Sequence, residues 1–526
     1  MSKAVPTLIR KTVALLAALA LILGTATAKD GGAGNSNTPT ATPIKHLVVI
    51  FQVSASFDHY FGTYPEAANP AGEPQFQARP GTPGANRLNI ALLLNNPNLN
   101  PANGSGAANP FRIDRAQALA SWKSGYGQEQ AAINQGLMDL FPREAGDTTG
   151  ASMGFYDGNT VTALWNYAQH FVLSDNLFST GFGSSTPGAI NLVSGQTNGV
   201  TKILNGPGSA NLTDGGAGTL TVIGNASPLG DICSSPDGLQ VQLGGSNIGD
   251  LLNAAGVSWG WFQGGFDLTR SNRNGTTGCN RSTQGRFSGV TTRDYFPEHA
   301  PFMFFASTSN PAHIRPASVT EIGHNGPANH QYDINDFFTA AKEGGLPAVS
   351  FLKPIAAQDG AGPLDEQDFV VTVINFLQEQ QKDWPTTAVV IMFGSSGGWY
   401  DHAVPPLVNP STSPADALTG FGACGDGSRA LPGAAIDHAQ GRCGFGPRTP
   451  LLLVSPLARE NFVDHTLTNQ ASVLRFIEDN WLGGQRIGQG SFDAASNSLV
   501  QMFDFSLVNA SDTRYLYLDP VTGQIK

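Results

Sequence analysis

Two pairs of neighbouring acidic and histidine side chains follow apolar runs in this sequence. Asp58 and His59 form one pair, and Asp401 and His402 form the other. A carboxylate beside an imidazole can transfer protons or bind a divalent metal. Such residues also cap and hydrogen-bond turns, and no regular ligand spacing indicates a metal site here. The residues alone therefore favour turn-stabilising roles for both pairs.

The first pair follows an unbroken apolar run, residues 47–51, that is rich in β-branched side chains. An uninterrupted run of this kind predicts a fully buried strand of a parallel sheet, because a half-exposed strand would alternate with polar residues. In open α/β sheets, ligands bind outside the carboxyl ends of the strands. We therefore expect a functional site at residues 52–56.

Further apolar runs alternate with segments of helical spacing. The predicted strands are 257–262, 348–352, 388–393 and 449–455, and the predicted helices are 128–141, 164–171, 365–380 and 470–482. Such alternation predicts an α/β fold with a mostly parallel central sheet and helices on both faces.

The composition is typical of a loop-rich extracellular protein. The 526 residues suffice for one large domain or two ordinary ones, and only 13% are charged, against 63 Gly and 34 Pro. These values disfavour a coiled coil or a disordered acidic chain. Residues 205–300 are richer in Gly, Ser and Asn than their surroundings, which predicts an insertion or subdomain.

The amino-terminal segment predicts export to a secreted or periplasmic location. A basic start, an apolar stretch at 12–23 and small residues at 26–28 indicate a signal peptide, residues 1–28, and the apolar stretch is too short to span a bilayer. No later apolar run is long enough to span a membrane. Residues 29–43 predict a flexible lead-in. Removing the basic signal makes the formal net charge of −11 more negative, and a negative chain is disfavoured as a nucleic-acid-binding protein. The sequence does not indicate an oligomeric state.

The four cysteines of an exported chain indicate disulfides, with three connectivities open. We favour Cys233 with Cys279 and Cys424 with Cys443, because each pair closes a local Gly-rich loop. A zinc site is disfavoured, since no C-x-x-C or nearby histidine spacing supports it.

The opening stretch 44–64, IKHLVVIFQVSASFDHYFGTY, resembles the first motif of the bacterial phosphoesterase family of secreted acid phosphatases and non-specific phospholipases C. That motif is QENxSFDHYFG after a strand like IKHVVVIM. Similar motifs follow in order: FGSSTPGAINLVSGQT, GHNGPANHQYD, GGWYDH and GPRTPLLLVSPLARENF. The resemblance implies an alkaline-phosphatase-like α/β/α sandwich over 44–526, with a mostly parallel central sheet and a loop-rich insertion.

The resemblance assigns a nucleophile to Ser185. The family hydrolyses phosphoesters with a metal-held hydroxyl and reads FGPSTPG where this chain has Ser184 in place of the proline. Without the resemblance, a serine in a Ser-Thr-Pro turn is better interpreted as a cap for a helix starting near Gly188.

The metal ligands that the resemblance implies are replaced. Val53 and Ser54 stand at the Glu and Asn of the opening motif, and Gly394 and Ser395 stand at two adjacent aspartates of a run like YDDSDGWYDH. A third aspartate falls on Gly397. Glycine has no ligand atom and a serine hydroxyl supplies no charge at neutral pH. We therefore expect neither the family's divalent metal nor any other cofactor.

The family's histidines are depleted as well. Ser124 stands at one of them, and Glu298 and His299 stand at a histidine pair. The loop at 358–367 is four residues shorter than its family counterpart and lacks a histidine. Ser185 and His299 remain as catalytic candidates, which we expect to be insufficient for activity.

These replacements predict a secreted phosphoesterase-fold protein that lacks metal-dependent phosphoester hydrolysis. One alternative is an active acid phosphatase or phospholipase C with a rearranged site, acting on phosphomonoesters or phospholipids. Another is an extracellular binding protein that holds a small phosphorylated ligand in the old cleft. The absence of every expected metal carboxylate favours the first hypothesis over the second.

Overall fold

An eight-stranded sheet forms the centre of the computed structural model, which describes residues 39–115, 117, 122–206, 208–360, 362–425, 442–509 and 513–526. The strands of these residues, in chain order, are β1 (His46–Ser54), β2 (Phe111–Arg112), β3 (Gly154–Phe155), β4 (Val172–Ser174), β5 (Leu177–Phe178), β6 (Val200–Leu204), β7 (Leu212–Gly216), β8 (Thr219–Val222), β9 (Ser227–Pro228), β10 (Gln240–Leu243), β11 (Trp259–Gln263), β12 (Ser282–Gln284), β13 (Thr291–Arg293), β14 (Gln331–Asp333), β15 (Val349–Lys353), β16 (Thr387–Ser395), β17 (Leu451–Val454), β18 (Phe462–Asp464) and β19 (Thr468–Asn469).

The central sheet has the strand order β14-β11-β15-β1-β16-β17-β4-β18. Its neighbours pair in parallel except at β17, which runs antiparallel to both β16 and β4. Residues 47–51 of β1 are fully buried between β15 and β16, as the apolar run predicts. The predicted mostly parallel sheet is confirmed, and the predicted strand at 449–455 is its antiparallel member.

Helices cover the sheet in two packed groups. In chain order they are α1 (Phe57–Phe61), α2 (Ile90–Leu94), α3 (Tyr126–Ile133), α4 (Phe141–Ala145), α5 (Thr162–His170), α6 (Ser185–Ser194), α7 (Ile248–Ala254), α8 (Ile334–Lys342), α9 (Pro363–Glu379) and α10 (Ala471–Trp481). Helix α6 contacts β16, α7 and α10, whereas α5 contacts β17, β4 and α9. The α/β class is therefore confirmed.

The predicted helix at 128–141 is wrong in its length. Helix α3 ends at Ile133, because Asn134 and Gln135 have left-handed φ angles of 45° and 58°. Left-handed backbone cannot continue a right-handed helix. The next α-helix, α4, begins only at Phe141.

Residues 205–300 are not separate from the main domain. They include β11, which lies inside the central sheet between β14 and β15, together with α7. The remainder forms short strands and loops. Both predicted disulfides, Cys233–Cys279 and Cys424–Cys443, are confirmed.

The predicted signal peptide and residues 29–38 of the predicted lead-in lie outside the described residues. The end of the lead-in is fixed rather than flexible, because Ala41 and Thr42 hydrogen-bond to Asn480 of α10. Each helix of the described residues is too short or too polar to cross a bilayer.

Candidate functional site

A cleft of about 630 Å³ opens where β1 and β16 end. It contains nine of the positions that the sequence singled out: Val53, Ser54, Ser124, Ser184, Ser185, Glu298, His299, Ser395 and Gly397. The prediction of a site at 52–56 therefore coincides with a cleft. Its other walls include residues of the segment that precedes α3 and of the loops that follow β13 and β15.

The replaced residues at the two strand ends are direct neighbours. Ser54 of β1 pairs in parallel register with Ser395 of β16. A Cβ atom added to Gly394 would lie 3.1 Å from the Cβ of Ser185 and 3.0 Å from the carbonyl oxygen of Val53. The structure thus brings these positions together beside Ser185.

Ser185 begins α6 instead of capping it. The cap is Ser184, whose side chain makes no capping bond. Because the helix begins at Ser185 and not near Gly188, it starts three residues earlier than predicted. A Cβ atom on Gly188 would come within 1.9 Å of the Gly394 carbonyl oxygen. Glycine therefore permits the close approach of α6 to β16, and this approach sets Ser185 at the cleft.

The side chains of Ser185 and His299 are in contact. Ser185 Oγ lies 3.0 Å from His299 Nε2, and Ser185 is 7% exposed. Burial and the nearby charge of Lys353 lower the pKa of His299 well below its usual value, so its ring is neutral at pH 7. Among the described residues, no carboxylate hydrogen-bonds to the other ring nitrogen. The pair is a serine beside a neutral base without an orienting acid.

The comparisons with known proteins identify the family. The sequence profile described as the phosphoesterase family matches residues 44–482. The chain belongs to the phosphoesterase family.

Among its relatives, the non-hemolytic phospholipase C of Burkholderia pseudomallei is 25% identical over 84% of this chain and 56% of its own length. Phospholipase C B of Mycobacterium tuberculosis is 23% identical over 83% of this chain and 73% of its own length. This chain thus spans little more than half of the first relative. A solved protein of the alkaline phosphatase superfamily from Vibrio parahaemolyticus aligns with 77% of this chain at 11% identity and a TM-score of 0.27.

A buried ion pair that the sequence motifs did not indicate lies beside the cleft of this phosphoesterase-family chain, and one of its members, Asp359, lines the cleft. The ammonium of Lys353, the last residue of β15, pairs with the carboxylate of Asp359. Asp359 Oδ1 also accepts the backbone N–H of Val53 at 2.6 Å. The sequence does carry one sign of this ion pair, a lone lysine at the end of an apolar strand. A lysine buried at such a place requires an acidic partner.

The shortened loop at 358–367 closes against Val53. The N–H of Gly360 donates to Glu366 Oε1 at 3.0 Å, and the hydroxyl of Tyr60 donates to Glu366 Oε2 at 2.7 Å. Burial raises the pKa of Glu366 to about 8. The loop is thereby fixed to α1 and α9 through hydrogen bonds to one carboxyl group.

These residues do not fit the family's divalent metal. Among the described residues, the carboxyl groups that line the cleft belong to Asp359 and Glu298. Lys353 already balances the charge of Asp359, and burial raises the pKa of Glu298. A divalent cation needs several anionic oxygen ligands. The hydroxyls of Ser54 and Ser395 supply none.

A second acidic cluster lies at the turns after β1 and β16. The side chains of Asp58, Asp401 and His402 lie close enough to hold an ion. The buried Arg448 guanidinium already contacts both carboxylates, at 3.2 Å from Asp58 and 3.1 Å from Asp401. Although burial disfavours a charged ring, Asp58 raises the pKa of His402. Together with the 2.8 Å bond from the His402 N–H to Asp58, this network confirms turn-stabilising roles.

A third group, Asp231, Cys233 and His313, also meets the distance condition for a metal. Its cysteine is in a disulfide and cannot supply a thiolate. The hydroxyl of Tyr295 donates to Asp231 at 2.8 Å, and His313 Nε2 lies 3.1 Å from the same carboxylate. This group is a hydrogen-bonded core, not a metal site.

Glu129 of α3 joins two walls of the cleft. Its carboxyl group accepts the N–H of Gly183 at 2.7 Å and the hydroxyl of Ser396 at 2.6 Å. Burial raises the pKa of this carboxyl group to about 8. Glu129 thus positions the segments that carry Ser185 and Ser395. The helical spacing of the sequence around Glu129 did not indicate this role.

Two polar atoms in the cleft walls lack a partner among the described residues. They are the indole Nε1 of Trp122 and the hydroxyl of Ser184, and both atoms are buried. Buried polar groups are normally hydrogen-bonded, and an unpartnered one needs an explanation. Both groups are hydrogen-bond donors, and both belong to residues that line the cleft.

Proposed function

We propose that this phosphoesterase-family protein is exported and does not hydrolyse phosphoesters by a metal-dependent route. The observation that carries the proposal is the register of Ser54 with Ser395, which juxtaposes two hydroxyls where the family has an asparagine and an aspartate as metal ligands. Lys353 supports it, because its ammonium already pairs with Asp359 and so leaves that carboxylate without a free charge for a metal ion. The two disulfides support an oxidising destination outside the cytoplasm.

The cleft itself remains suited to a small phosphorylated ligand. Its walls include Ser54, Ser184, Ser395 and Trp122, and the Ser184 hydroxyl and the Trp122 indole N–H are buried within the wall without a partner. Phosphoryl oxygens accept hydrogen bonds from such donors, and the unpartnered donors gain most from them. Binding without turnover is therefore the role we propose for the cleft toward phosphorylated molecules.

A second candidate is an active phosphatase or phospholipase C with a rearranged site. The 3.0 Å contact between Ser185 and His299 favours it, since a nucleophile and a base are still adjacent. The named relatives are phospholipases C, although this chain spans only 56% of the first one. Without a cation or a second histidine, however, the charge that develops on a transferred phosphoryl group is poorly stabilised.

An aryl phosphate assay distinguishes the two candidates. The purified chain is assayed across acid and neutral pH with Zn²⁺, Mg²⁺, Mn²⁺ or Ca²⁺ added, and again with a chelator. The Ser185→Ala variant, prepared in parallel, reports the contaminating background. We expect the same low rate for both proteins in every condition. Metal-stimulated turnover that Ser185→Ala abolishes would establish the second candidate instead.

Ligand binding is measured separately by calorimetric titration with inorganic phosphate and phosphocholine. Ser184→Ala should weaken binding, because it removes an unpartnered donor from the cleft wall. Ser105→Ala, at an exposed serine outside the cleft, is the matched control. Equal heats for the wild type and the Ser184→Ala variant would place the ligand elsewhere.

A further inference from the structure

We infer that Ser185 and His299 form a metal-independent nucleophilic pair that attacks electrically neutral, activated esters. The inference rests on the proposed loss of metal-dependent hydrolysis and adds an activity to the same cleft. It concerns carboxylic esters and neutral phosphonate esters, whose reacting centres need no cation to offset a negative charge.

The geometry of the pair carries this inference. A serine hydroxyl becomes a useful nucleophile when an adjacent base can take its proton, and the required heavy-atom distance is about 2.6–3.2 Å. Ser185 Oγ and His299 Nε2 meet this condition at 3.0 Å. Both residues line the cleft, so a small ester can reach the hydroxyl.

Helix α6 supports the developing charge. Ser185 is the first residue of this ten-residue helix, and the amino-terminal turn of a helix carries partial positive charge. The unpartnered hydroxyl of Ser184 and the indole N–H of Trp122 are additional donors in the cleft walls. Donors of this kind stabilise an oxyanion that forms on the substrate.

The charges around the cleft favour reaction at a neutral ester over reaction at an anionic phosphoester. The Lys353 ammonium is already paired with Asp359, so it offers little to an incoming anion. Glu298 adds a second carboxyl group to the wall. A phosphomonoester dianion can still bind in the cleft, but attack of Ser185 on its anionic phosphoryl group lacks a metal to offset the charge. A neutral ester needs no such offset.

The step is chemically balanced without a cofactor. Ser185 Oγ forms a bond to the carbonyl carbon, its proton moves to His299 Nε2, and the ester C–O bond breaks as that proton passes to the leaving oxygen. Water then attacks the acyl carbon while His299 takes its proton. The bond from this carbon to Ser185 Oγ breaks, and the proton passes to Oγ as the carboxylic acid leaves. With a fluorophosphonate, the Oγ–P bond forms, the P–F bond breaks, and fluoride leaves while His299 takes the proton.

The test uses a fluorophosphonate probe on the full exported chain in the presence of a chelator. Intact mass measurement should show one adduct, and peptide mapping should place it on Ser185. Ser185→Ala should give no adduct. His299→Gln should slow labelling by about 10²–10⁴-fold, the usual contribution of a general base. The controls are Ser105→Ala and His465→Gln, at an exposed serine and an exposed histidine that do not line the cleft, and both should label at the wild-type rate.

The pH dependence of labelling separates a base from a merely structural histidine. Because the ring of His299 is neutral at pH 7, the labelling rate of the wild type should stay level from neutral to alkaline pH and fall only in acid. In His299→Gln the slow residual rate should instead rise with pH, as hydroxide replaces the missing base. His299→Asn is the second variant if the glutamine variant melts at a lower temperature.

The outcomes are distinct from those of the proposed function. Labelling in chelator without phosphatase activity supports both proposals. No labelling and no phosphatase activity overturns this inference alone. Labelling in chelator together with metal-stimulated phosphatase activity overturns the proposed function alone. Equal labelling of wild type and Ser185→Ala, or labelling that requires added metal, also overturns this inference.

Discussion

Ser54 and Ser395 face each other across two parallel strands, β1 and β16, at the floor of the cleft. One residue away, the N–H of Val53 is held by Asp359, which is paired with the buried Lys353. The strand ends thus combine neutral hydroxyls with an internal ammonium. A protein cation, fixed in place, stands beside the position where the family employs a metal ion.

Restoring the metal site should require several substitutions at once. Val53→Glu or Gly394→Asp alone should give no metal binding and no aryl phosphate turnover, because a divalent ion held by one carboxylate is barely bound. The quadruple variant with Val53→Glu, Ser54→Asn, Gly394→Asp and Ser395→Asp should bind a divalent metal. The measurement is metal stoichiometry followed by turnover, with Ser185→Ala in the quadruple background as the control.

Gly394→Asp carries a steric cost in that series. Its Cβ would lie 2.9 Å from Phe51 Cζ and 3.1 Å from Ser185 Cβ, closer than ordinary contacts. We expect this variant alone to lose about 1–3 kcal/mol of unfolding free energy. Metal binding should recover part of the loss in the quadruple variant. A single substitution that restores turnover would contradict the assignment of the site.

The strands that form the site could be predicted from the sequence, whereas the charge pairs around the site could not. The apolar runs at 47–51 and 388–393 are so regular that β1 and β16 were foreseeable. The surrounding motifs also fixed the alignment of Ser54 and Gly394 with the family's ligand positions. The break after Ile133 was not foreseen, although Asn134 and Gly136, residue types that tolerate a left-handed φ, lie within it. Pairing of Lys353 with Asp359 depends on tertiary packing, which leaves no periodic pattern in a sequence.

Thermal stability should not depend on a metal. The described residues that line the cleft lack a set of carboxylates that would repel one another without an ion. We therefore expect the same melting midpoint with and without EDTA, measured by circular dichroism. The quadruple variant is the contrast, because its carboxylates should make its midpoint sensitive to chelator. A large fall for the wild-type chain would reveal a structural metal.

The buried ion pair should be costly to break. Lys353→Met leaves the Asp359 carboxylate buried without its partner, and such changes cost about 3–5 kcal/mol. Adding Asp359→Asn should recover much of the loss, since the amide oxygen can still accept the Val53 N–H without a charge. Arg286→Met breaks the more exposed pair with Asp368 and should cost no more than about 1 kcal/mol. Urea unfolding of the four proteins measures these differences, and equal losses for Lys353→Met and Arg286→Met would refute the argument.

The two disulfides should contribute unequally to stability. Cys233–Cys279 closes a loop with a sequence separation of 46, and Cys424–Cys443 closes one of 19. The chain-entropy relation gives about 4 kcal/mol for the first and about 3 kcal/mol for the second. Urea unfolding of the two paired Cys→Ala variants tests the order. A larger loss from the shorter loop would show that packing around that disulfide outweighs chain entropy.

The carboxyl group of Glu129 should make stability fall as pH rises. Its pKa is raised from 4.5 to about 8 by burial in the folded protein, so the folded state keeps its proton while the unfolded chain loses it. The contribution of this carboxyl group to the free energy of unfolding is therefore fully present below about pH 4.5. It declines until about pH 8, by roughly 4–5 kcal/mol in total. Glu129→Gln removes the titration and keeps an oxygen that can accept a hydrogen bond from Gly183 or Ser396. The variant should unfold at higher urea than wild type at pH 8 and lose this advantage in acid. Glu343→Gln, at an exposed glutamate, should follow the wild-type pH profile, and the same pH profile for Glu129→Gln and wild type would contradict the role assigned to burial.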